Sequence, residues 1–329
     1  MISIIINNYN YERFVGMAVE SALSVSDAEV IVVDDGSRDG SLDVLERYRD
    51  RAIIIAKENG GQASAYNAGF AASRGDVVVF LDADDCIGAD WAAVLKSQYS
   101  PSATIYQWQL RCIGEDGQPF QPDRLDPERL TPGPVKEALL DEAWYVHPPA
   151  SGNAYSRSFL QKVMPMPEED YRYFADIHLI NSAPLFGDRV VLPGVLGLYR
   201  RHGANHSTRS SRFERRNVQH RVQAHQRRVH ALRSGAERAG VSLPAKIDLR
   251  APFAALDRLI LAWHDPASLA SPGEIPGIAG DGIRSAWRSS RAGGLSKRIV
   301  LTALFLILSC ILLTQHLWLK TCRPNLKQL

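Results

Sequence analysis

Short apolar runs alternate with amphipathic stretches along the first 85 residues of the chain. The apolar runs, which are rich in β-branched residues, are 2–6, 30–33, 53–56 and 77–81. The stretches with apolar positions at helical spacing are 15–23, 42–48 and 62–72. Continuous apolar runs of this length are typical of strands buried on both faces of a sheet. The alternation therefore predicts an α/β fold with a mostly parallel central sheet flanked by helices.

Beyond residue 90 the pattern loosens into mixed strands and loops, with seven prolines between 119 and 149. We expect this half of the domain to shape a substrate site. The segment 158–161 has the form of a capping box and predicts a helix that starts at Ser158. A second helix is predicted over 176–185, ending near Gly187.

A polar stretch rich in Arg and His runs from 208 to 238, and its few apolar residues recur at helical spacing. It predicts a solvated helix, with contact to anionic lipid headgroups as the alternative. Aromatic residues are not interleaved with these arginines, so the sequence does not predict a nucleic-acid partner.

The segment 299–319 contains no Asp, Glu, Lys or Arg, and as a helix it would extend about 30 Å, enough to cross a bilayer. Lys297 and Arg298 precede it, and a positive flank of this kind favours the cytoplasmic side. We therefore predict a protein at the cytoplasmic face of the membrane, anchored by this C-terminal helix. A buried core helix and an interfacial helix are the alternatives.

Length and composition agree with one large catalytic domain and an appendage. The chain has 329 residues, is 45% hydrophobic and carries a formal net charge of +2, so it can bury a full core. Its four cysteines lie far apart and predict neither a zinc site nor a disulfide framework. The predicted parts are a catalytic domain at 1–207 (nucleotide-binding half 1–90, acceptor-binding half 91–207), a basic helical extension at 208–296, and a membrane segment and tail at 297–329.

Two carboxylates and a glycine follow the second predicted strand, at Asp34, Asp35 and Gly36. Open α/β sheets bind ligands at the carboxyl ends of their strands. The alternative is that one of these aspartates only caps the turn that follows.

Three more carboxylates, Asp82, Asp84 and Asp85, follow the apolar run 77–81. Adjacent carboxylates repel each other unless a positive charge lies between them. Mg²⁺ or Mn²⁺ supplies that charge, prefers oxygen ligands and commonly bridges carboxylates to substrate phosphates. A solvated acidic loop is the alternative. Neither GxGxxG nor GxxxxGK[ST] occurs in this part of the chain, so metal bridging is the predicted mode of diphosphate binding.

Several motifs, in order along residues 1–207, together resemble the inverting family-2 glycosyltransferases of GT-A fold. They are the opening strand with Tyr9 and Asn10, the VDDGS element at 32–37, the segment from Glu58 through Asn67 to Gly69, and the DxD motif at 82–84. The resemblance implies that Tyr9 contacts the base, Asp34 or Asp35 the base or ribose, Asp82 the ribose and Asp84 the metal. It also implies that Asn10 and Asn67 belong to the nucleotide-sugar site.

The general base has two candidates, since a positioned carboxylate is the usual acceptor of the proton from an attacking hydroxyl. Glu168, Glu169 and Asp170 form one acidic cluster, and Asp176 opens the predicted helix 176–185. In the family that this chain resembles, the catalytic Asp opens such a helix and a glycine ends it, so Asp176 is the predicted base. Ala175 stands where the family usually has Glu. Helix N-capping is the structural alternative for Asp176.

The segment 199–207 resembles the family loop that closes over the donor diphosphate, which implies diphosphate contacts by Arg200, Arg201 and His202. Positive groups there would stabilise the charge of the leaving diphosphate. His202 is also a candidate metal ligand, against a purely structural role. Asn153 lies where the acceptor-side segment of the family would fall.

These expectations combine into a metal-dependent inverting glycosyltransferase that moves a sugar from a nucleoside diphosphate sugar to an acceptor hydroxyl. A UDP-sugar is the favoured donor, and a glycan or lipid-linked glycan of cell-surface polysaccharide assembly is the expected acceptor. The alternatives are a non-catalytic membrane-associated binding protein with the same fold, and a sugar nucleotidyltransferase.

Overall fold

The computed structural model describes residues 1–203, 215–244, 247, 251–265, 273–288 and 295–322. The chain divides into two compact units. Unit 1 comprises Met1–Lys136, Val146–Thr208 and Ala231–Ser242. Unit 2 comprises Glu137–Tyr145, Arg209–His230 and Leu243–Leu329. The predicted domain boundaries at 207 and 296 stay predictions.

One mixed sheet of nine strands runs through unit 1 in the order β3-β2-β1-β4-β8-β6-β9-β5, with β7 paired to β6. The strands are β1 Ile2–Asn8, β2 Ala28–Asp34, β3 Ile53–Ala56, β4 Val77–Asp82, β5 Cys86–Ile87, β6 Ala103–Ile113, β7 Leu125–Asp126, β8 Asn153–Ser156 and β9 Asp188–Arg200. The first four are mutually parallel, as are β6 and β9, whereas β8 runs antiparallel to both of its neighbours. The predicted α/β fold with a mostly parallel sheet is confirmed.

Helices lie between the strands and continue to the C-terminal part of the chain. They are α1 Val15–Leu23, α2 Ser41–Glu46, α3 Gln62–Ala72, α4 Trp91–Ser97, α5 Lys136–Glu142, α6 Arg157–Val163, α7 Ala175–Phe186, α8 Arg215–Ala239, α9 Pro252–His264, α10 Glu274–Arg288 and α11 Leu295–Cys322. The predicted helices over 15–23, 62–72 and 176–185 match α1, α3 and α7. The start of the helix predicted from 208 falls outside the described residues.

The register of the parallel strands brings the candidate site residues to one edge of the sheet. Asn8 pairs with Asp34 of β2, and Asn7 pairs with Asp82 of β4. The carboxyl ends of β1, β2 and β4 therefore stand side by side, so the two acidic motifs, 48 residues apart in sequence, lie on either side of β1.

The N-cap of helix α6 lies two residues before the position that the predicted capping box gives it. The hydroxyl of Ser156 accepts a hydrogen bond from the backbone N–H of Phe159, and the helix starts at Arg157. Ser156 ends β8 and keeps an extended backbone, which is the conformation that an N-cap residue requires. The capping box predicted at Ser158 is therefore wrong in its position, although the helix itself exists.

A close approach between α3 and β1 makes Gly69 critical for stability. A Cβ at Gly69 would lie 2.3 Å from Cγ2 of the buried, β-branched Ile5, which has little freedom to move. Gly69→Ala is expected to lower the free energy of unfolding by about 1–3 kcal/mol, measured by urea denaturation, even though alanine favours helix. Gly16→Ala in α1 is the matched control, because its Cβ would meet Val44 at 3.4 Å and the Tyr48 hydroxyl at 3.5 Å, without the overlap found at Gly69. It should leave stability unchanged or raise it by up to about 1 kcal/mol. Equal stability of the two variants would contradict this explanation.

Unit 2 has its own apolar core, formed largely by α9, α10 and α11. Leu259, Ile278 and Phe305 are among its buried members. The Phe305 ring lies so close to the backbone of α10 that a Cβ at Gly282 would come within 2.3 Å of it. The predicted membrane segment 299–319 falls within α11. Among the helices of the described residues, none combines the length and apolar character needed to cross a membrane.

Candidate active site

Three carboxylates form a compact cluster where β4 ends. Asp82, Asp84 and Asp85 each offer an oxygen, and these oxygens lie within 4.8 Å of one another. Burial, together with the charges of Asp84 and Asp176, raises the pKa of the Asp82 carboxyl to about 7. Burial and the charges of Asp84 and Asp82 also raise the pKa of Asp85 well above its ordinary value. The cluster therefore resists carrying three negative charges without a proton or a cation.

Asp85 holds the acidic turn in place through bonds inside the protein. One of its carboxylate oxygens accepts the hydroxyl of Ser151 at 2.6 Å, and the other accepts the backbone N–H of Arg200 at 2.8 Å. The Ser151 hydroxyl oxygen also accepts the backbone N–H of Asp82 at 3.1 Å. Both oxygens of Asp85 are thus already hydrogen-bonded within the protein, which favours Asp84 and Asp82 as ligands for a cation.

His202 is the nearest basic group to Asp84. Its Nε2 lies 2.9 Å from Oδ2 of Asp84, and both side chains are buried. The imidazole ring packs against Phe14, with 5.1 Å between ring centroids, and edge-on against Tyr11 at 5.8 Å. Burial, with the charges of Asp84 and Asp82 next, raises the pKa of the Tyr11 hydroxyl, so this phenol stays neutral beside the acidic cluster.

Tyr11 and Phe14 have no counterpart among the sequence predictions. A signal for them exists, because both follow β1, and the carboxyl end of β1 is adjacent to that of β4. Residues just beyond that strand end are expected to reach the DxD loop. Choosing these two aromatics over their neighbours required the structure.

Asp34 fastens the end of β1 to the turn after β2. Its Oδ2 accepts the amide of Asn8 at 2.7 Å, and its Oδ1 accepts the backbone N–H of Ser37 at 2.9 Å. Asn10 extends this network, since its backbone N–H donates to the Ser37 hydroxyl and its side-chain oxygen accepts the backbone N–H of Arg38. Asn10 has a positive φ of 59°, a conformation that asparagine tolerates better than most residues.

Asp35 is also buried, and it organises the loop before α3. Its carboxylate accepts Nζ of Lys57 at 2.8 Å and the backbone N–H groups of Gly60 and Gly61 at 2.9 and 2.6 Å. Tyr9 is 42% exposed, so its ring is accessible at the same edge of the sheet. The arrangement favours Tyr9 as the group that meets a nucleotide base, with Asp34 and Asp35 shaping the surrounding loops.

Asp176 lies in the first turn of α7, at the same edge as the acidic cluster. Its charge acts on the carboxyl of Asp82 and on the hydroxyl of Tyr66. The N-terminus of α7 is positioned by Gln62, whose side-chain oxygen accepts the backbone N–H of Ala175 at 2.9 Å. The N-cap position belongs to Phe174 and not to Asp176. Ala175 is completely buried.

Asn67 of α3 contacts the loop that leads to α7, on which Glu168 lies. The Asn67 amide donates to Oε1 of Glu168 at 3.2 Å and to the backbone oxygen of Met166, whose N–H it accepts in return. Asn67 therefore ties α3 to this loop, and Glu168, from the alternative acidic cluster, helps to hold that connection.

Asn153 and Arg200 were predicted to contact the acceptor or the diphosphate, but both are almost completely buried. Asn153 binds Gln107 and the carbonyls of Pro149 and Ala150, which fixes the turn that carries Ser151. The Arg200 guanidinium donates to the backbone oxygens of Asp84, Gly114 and Glu115. These placements favour supporting roles. Arg201 is partly exposed and the His202 side chain is buried beside Asp84, and both remain candidates for ligand contact.

Comparisons with known proteins agree with this geometry. Residues 3–164 match the model of Glycosyl transferase family 2. The chain is 38% identical over 218 residues to an uncharacterized glycosyltransferase of Nostoc sp., covering 62% of this chain and 66% of the relative. It is 38% identical over 89 residues to the Escherichia coli UDP-Glc:alpha-D-GlcNAc-diphosphoundecaprenol beta-1,3-glucosyltransferase WfaP, covering 26% and 36% of the two chains.

A crystal structure of residues 1–349 of Staphylococcus aureus TarS in complex with UDP has a similar fold. The TM-score is 0.52 at 18% identity, over 94% of this chain and 89% of the other, which is evidence for the fold alone. The chain spans less than two thirds of the length of the two curated relatives.

Proposed function

Because this chain belongs to glycosyl transferase family 2 through residues 3–164, we propose that it transfers a sugar from a nucleoside diphosphate sugar to an acceptor hydroxyl. The observation that carries the proposal is the cluster of Asp82, Asp84 and Asp85 at the carboxyl ends of the parallel strands, within electrostatic reach of Asp176. A sugar nucleotidyltransferase would call for a glycine-rich loop near the N-terminus. Gly16 is the only glycine between residues 6 and 18, so the sequence has no such loop there.

A divalent cation, Mg²⁺ or Mn²⁺, fits this group of residues. The donors are hard oxygens with a histidine nitrogen beside them. Burial and then the charges of Asp84 and Asp176 raise the pKa of Asp82, and a cation would neutralise those charges. Asp84 would hold the ion, with Asp82 and His202 as the further donors. When bound, the ion would neutralise the charge of the diphosphate leaving group.

The reaction proposed for this site is a single displacement. Asp176 accepts the proton of the acceptor hydroxyl as its oxygen attacks the anomeric carbon, and the bond from that carbon to the diphosphate breaks with its electron pair leaving on the diphosphate oxygen. Tyr9 would stack on the base, and Arg201 would face the diphosphate. One displacement inverts the anomeric configuration, whereas retention by double displacement would need a second carboxylate placed as a nucleophile.

For the donor we propose a UDP-sugar, and for the acceptor a glycan or lipid-linked glycan of cell-surface polysaccharide assembly at the cytoplasmic face of the membrane. Two similarities support this choice. The TarS fragment was crystallised with UDP, and the WfaP name specifies a UDP-glucose donor and a diphosphoundecaprenol-linked acceptor.

The test is titration calorimetry of the full chain with UDP, in Mn²⁺ and in EDTA, followed by assays of UDP release from a panel of UDP-sugars. We expect UDP to bind more tightly with Mn²⁺ and at least one UDP-sugar to be turned over or slowly hydrolysed. The other nucleoside diphosphates serve as specificity controls. If none of the diphosphates bound, the protein would instead be a non-catalytic binding protein with this fold.

A further inference from the structure

One face of α11 exposes a row of aliphatic side chains. Val300, Leu304, Ile307 and Ile311 follow one another at spacings of four, three and four residues, which places them on one side of a helix. Val300 and Ile307 are 58% and 55% exposed, and the other two are exposed as well. We call these four residues the α11 row. A continuous apolar strip of this kind on a surface marks an interaction site.

A second face of α11 is committed to the core of unit 2. Leu301, Phe305 and Leu312 are buried there, in one cluster with residues of α9 and α10. Moving α11 away from its neighbours would expose these side chains to water or lipid and leave a cavity behind. The helix can therefore offer only its outer face to a partner, which suits a helix lying along a surface.

The charge of this region identifies the kind of partner. After Asp281 the chain contains eight Lys or Arg residues and no Asp or Glu. Arg298 precedes the exposed Ile299 of α11 and donates to the backbone oxygen of Trp287. The Trp287 ring is 45% exposed, and its Nε1 donates to the hydroxyl of Thr302. Ile299 and Leu306 are 53% and 54% exposed and lie on α11 between the α11 row and the side that carries Thr302, so the exposed aliphatic surface extends as far as Trp287. A tryptophan and an arginine at the edge of such a surface are typical of helices at the boundary between headgroups and acyl chains.

We propose that α11 lies in the plane of an anionic lipid surface, with the α11 row inserted among the acyl chains and with Arg284 and Arg298 against the headgroups. A second copy of this chain is the less suitable occupant, because two copies would bring like charges together. The proposal is independent of the glycosyltransferase function, since no residue of the acidic cluster takes part.

The experiment is cosedimentation of the full chain with phosphatidylcholine vesicles that contain or lack about 30% phosphatidylglycerol, which gives the vesicles an anionic surface. The variants are Ile307→Asp and Ile311→Asp, together and singly. Leu42→Asp is the matched control, because Leu42 is an exposed aliphatic residue on α2 of unit 1. Ile307 and Ile311 are already exposed, so their substitution should leave the fold intact. Circular dichroism checks the fold, and UDP binding checks the nucleotide site separately.

We expect binding to the anionic vesicles that weakens in high salt, a loss of about tenfold or more in partitioning for the double variant, and no change for Leu42→Asp. Two results would overturn the proposal. One is a full chain that fails to bind anionic vesicles, or that binds equally with and without the α11 substitutions. The other is a dimer in solution that the α11 substitutions dissociate, since the row would then be covered by a second copy.

Discussion

Asp84→Asn is expected to abolish Mn²⁺-dependent binding of UDP and to lower kcat/KM by about 10³-fold, as loss of several kcal/mol of charge stabilisation implies. The substitution keeps the size of the side chain and removes its charge. Asp84 is the cluster member with His202 at 2.9 Å, whereas both oxygens of Asp85 are occupied by Ser151 and Arg200. Asp85 therefore cannot replace it without disrupting the turn.

The measurement is calorimetry with UDP in Mn²⁺ and in EDTA, on the full chain and on two variants. Asp90→Asn is the matched control, because Asp90 is exposed, lies six residues along the chain and makes no side-chain capping bond. It should bind UDP as the unmodified chain does. If Asp84→Asn kept the full gain in affinity from Mn²⁺ while remaining folded, the cluster would not be the cation site.

The parts of the site that sequence predicted are those encoded by local pattern. Apolar runs located β1, β2 and β4, and parallel pairing then dictates that the residues directly after them meet at one edge. Asp34 and Asp82 were found in this way. Both depend on strand ends, which the chain encodes within a few residues.

The parts that sequence did not predict depend on contacts between distant segments. Ser151 fastens Asp85 from 66 residues away, and the rings around His202 come from a segment almost 190 residues earlier. No periodicity encodes such pairs. A motif does not reveal burial. Asn153 and Arg200 were assigned to ligand contact from the family resemblance, and the structure buries both and gives their polar atoms partners within the protein.

Each of the two acidic motifs contains one aspartate, Asp35 or Asp85, whose main role is structural. In each motif one carboxylate is saturated by backbone N–H groups or a fixed side chain, and this fixes the loop. Once the loop is fixed, Asp84 stays close to Asp82 despite their repulsion, which is the arrangement that a cation requires. Asp35 and Asp85 contribute to the site by fixing the positions of its loops, whereas Asp82 and Asp84 contribute negative charge.

Asp176→Asn is expected to lower kcat by about 10²–10⁴-fold, the usual contribution of a general base, while UDP binding in Mn²⁺ stays unchanged. Asparagine has the shape of aspartate but cannot accept the proton of the acceptor. Separating kcat from nucleotide affinity distinguishes this role from that of Asp84, whose loss should affect both.

Glu168→Gln provides the comparison for Asp176, since Glu168 belongs to the other acidic cluster considered for the base. Glu168, on the loop before α7, accepts a hydrogen bond from the amide of Asn67, and a glutamine at this position can keep accepting it. We therefore expect Glu168→Gln to retain most of kcat in assays of sugar transfer at saturating donor. Should Glu168→Gln lose activity while Asp176→Asn keeps it, the base would lie in the 168–170 cluster. The charge of Asp176 would then serve only to help raise the pKa of Asp82.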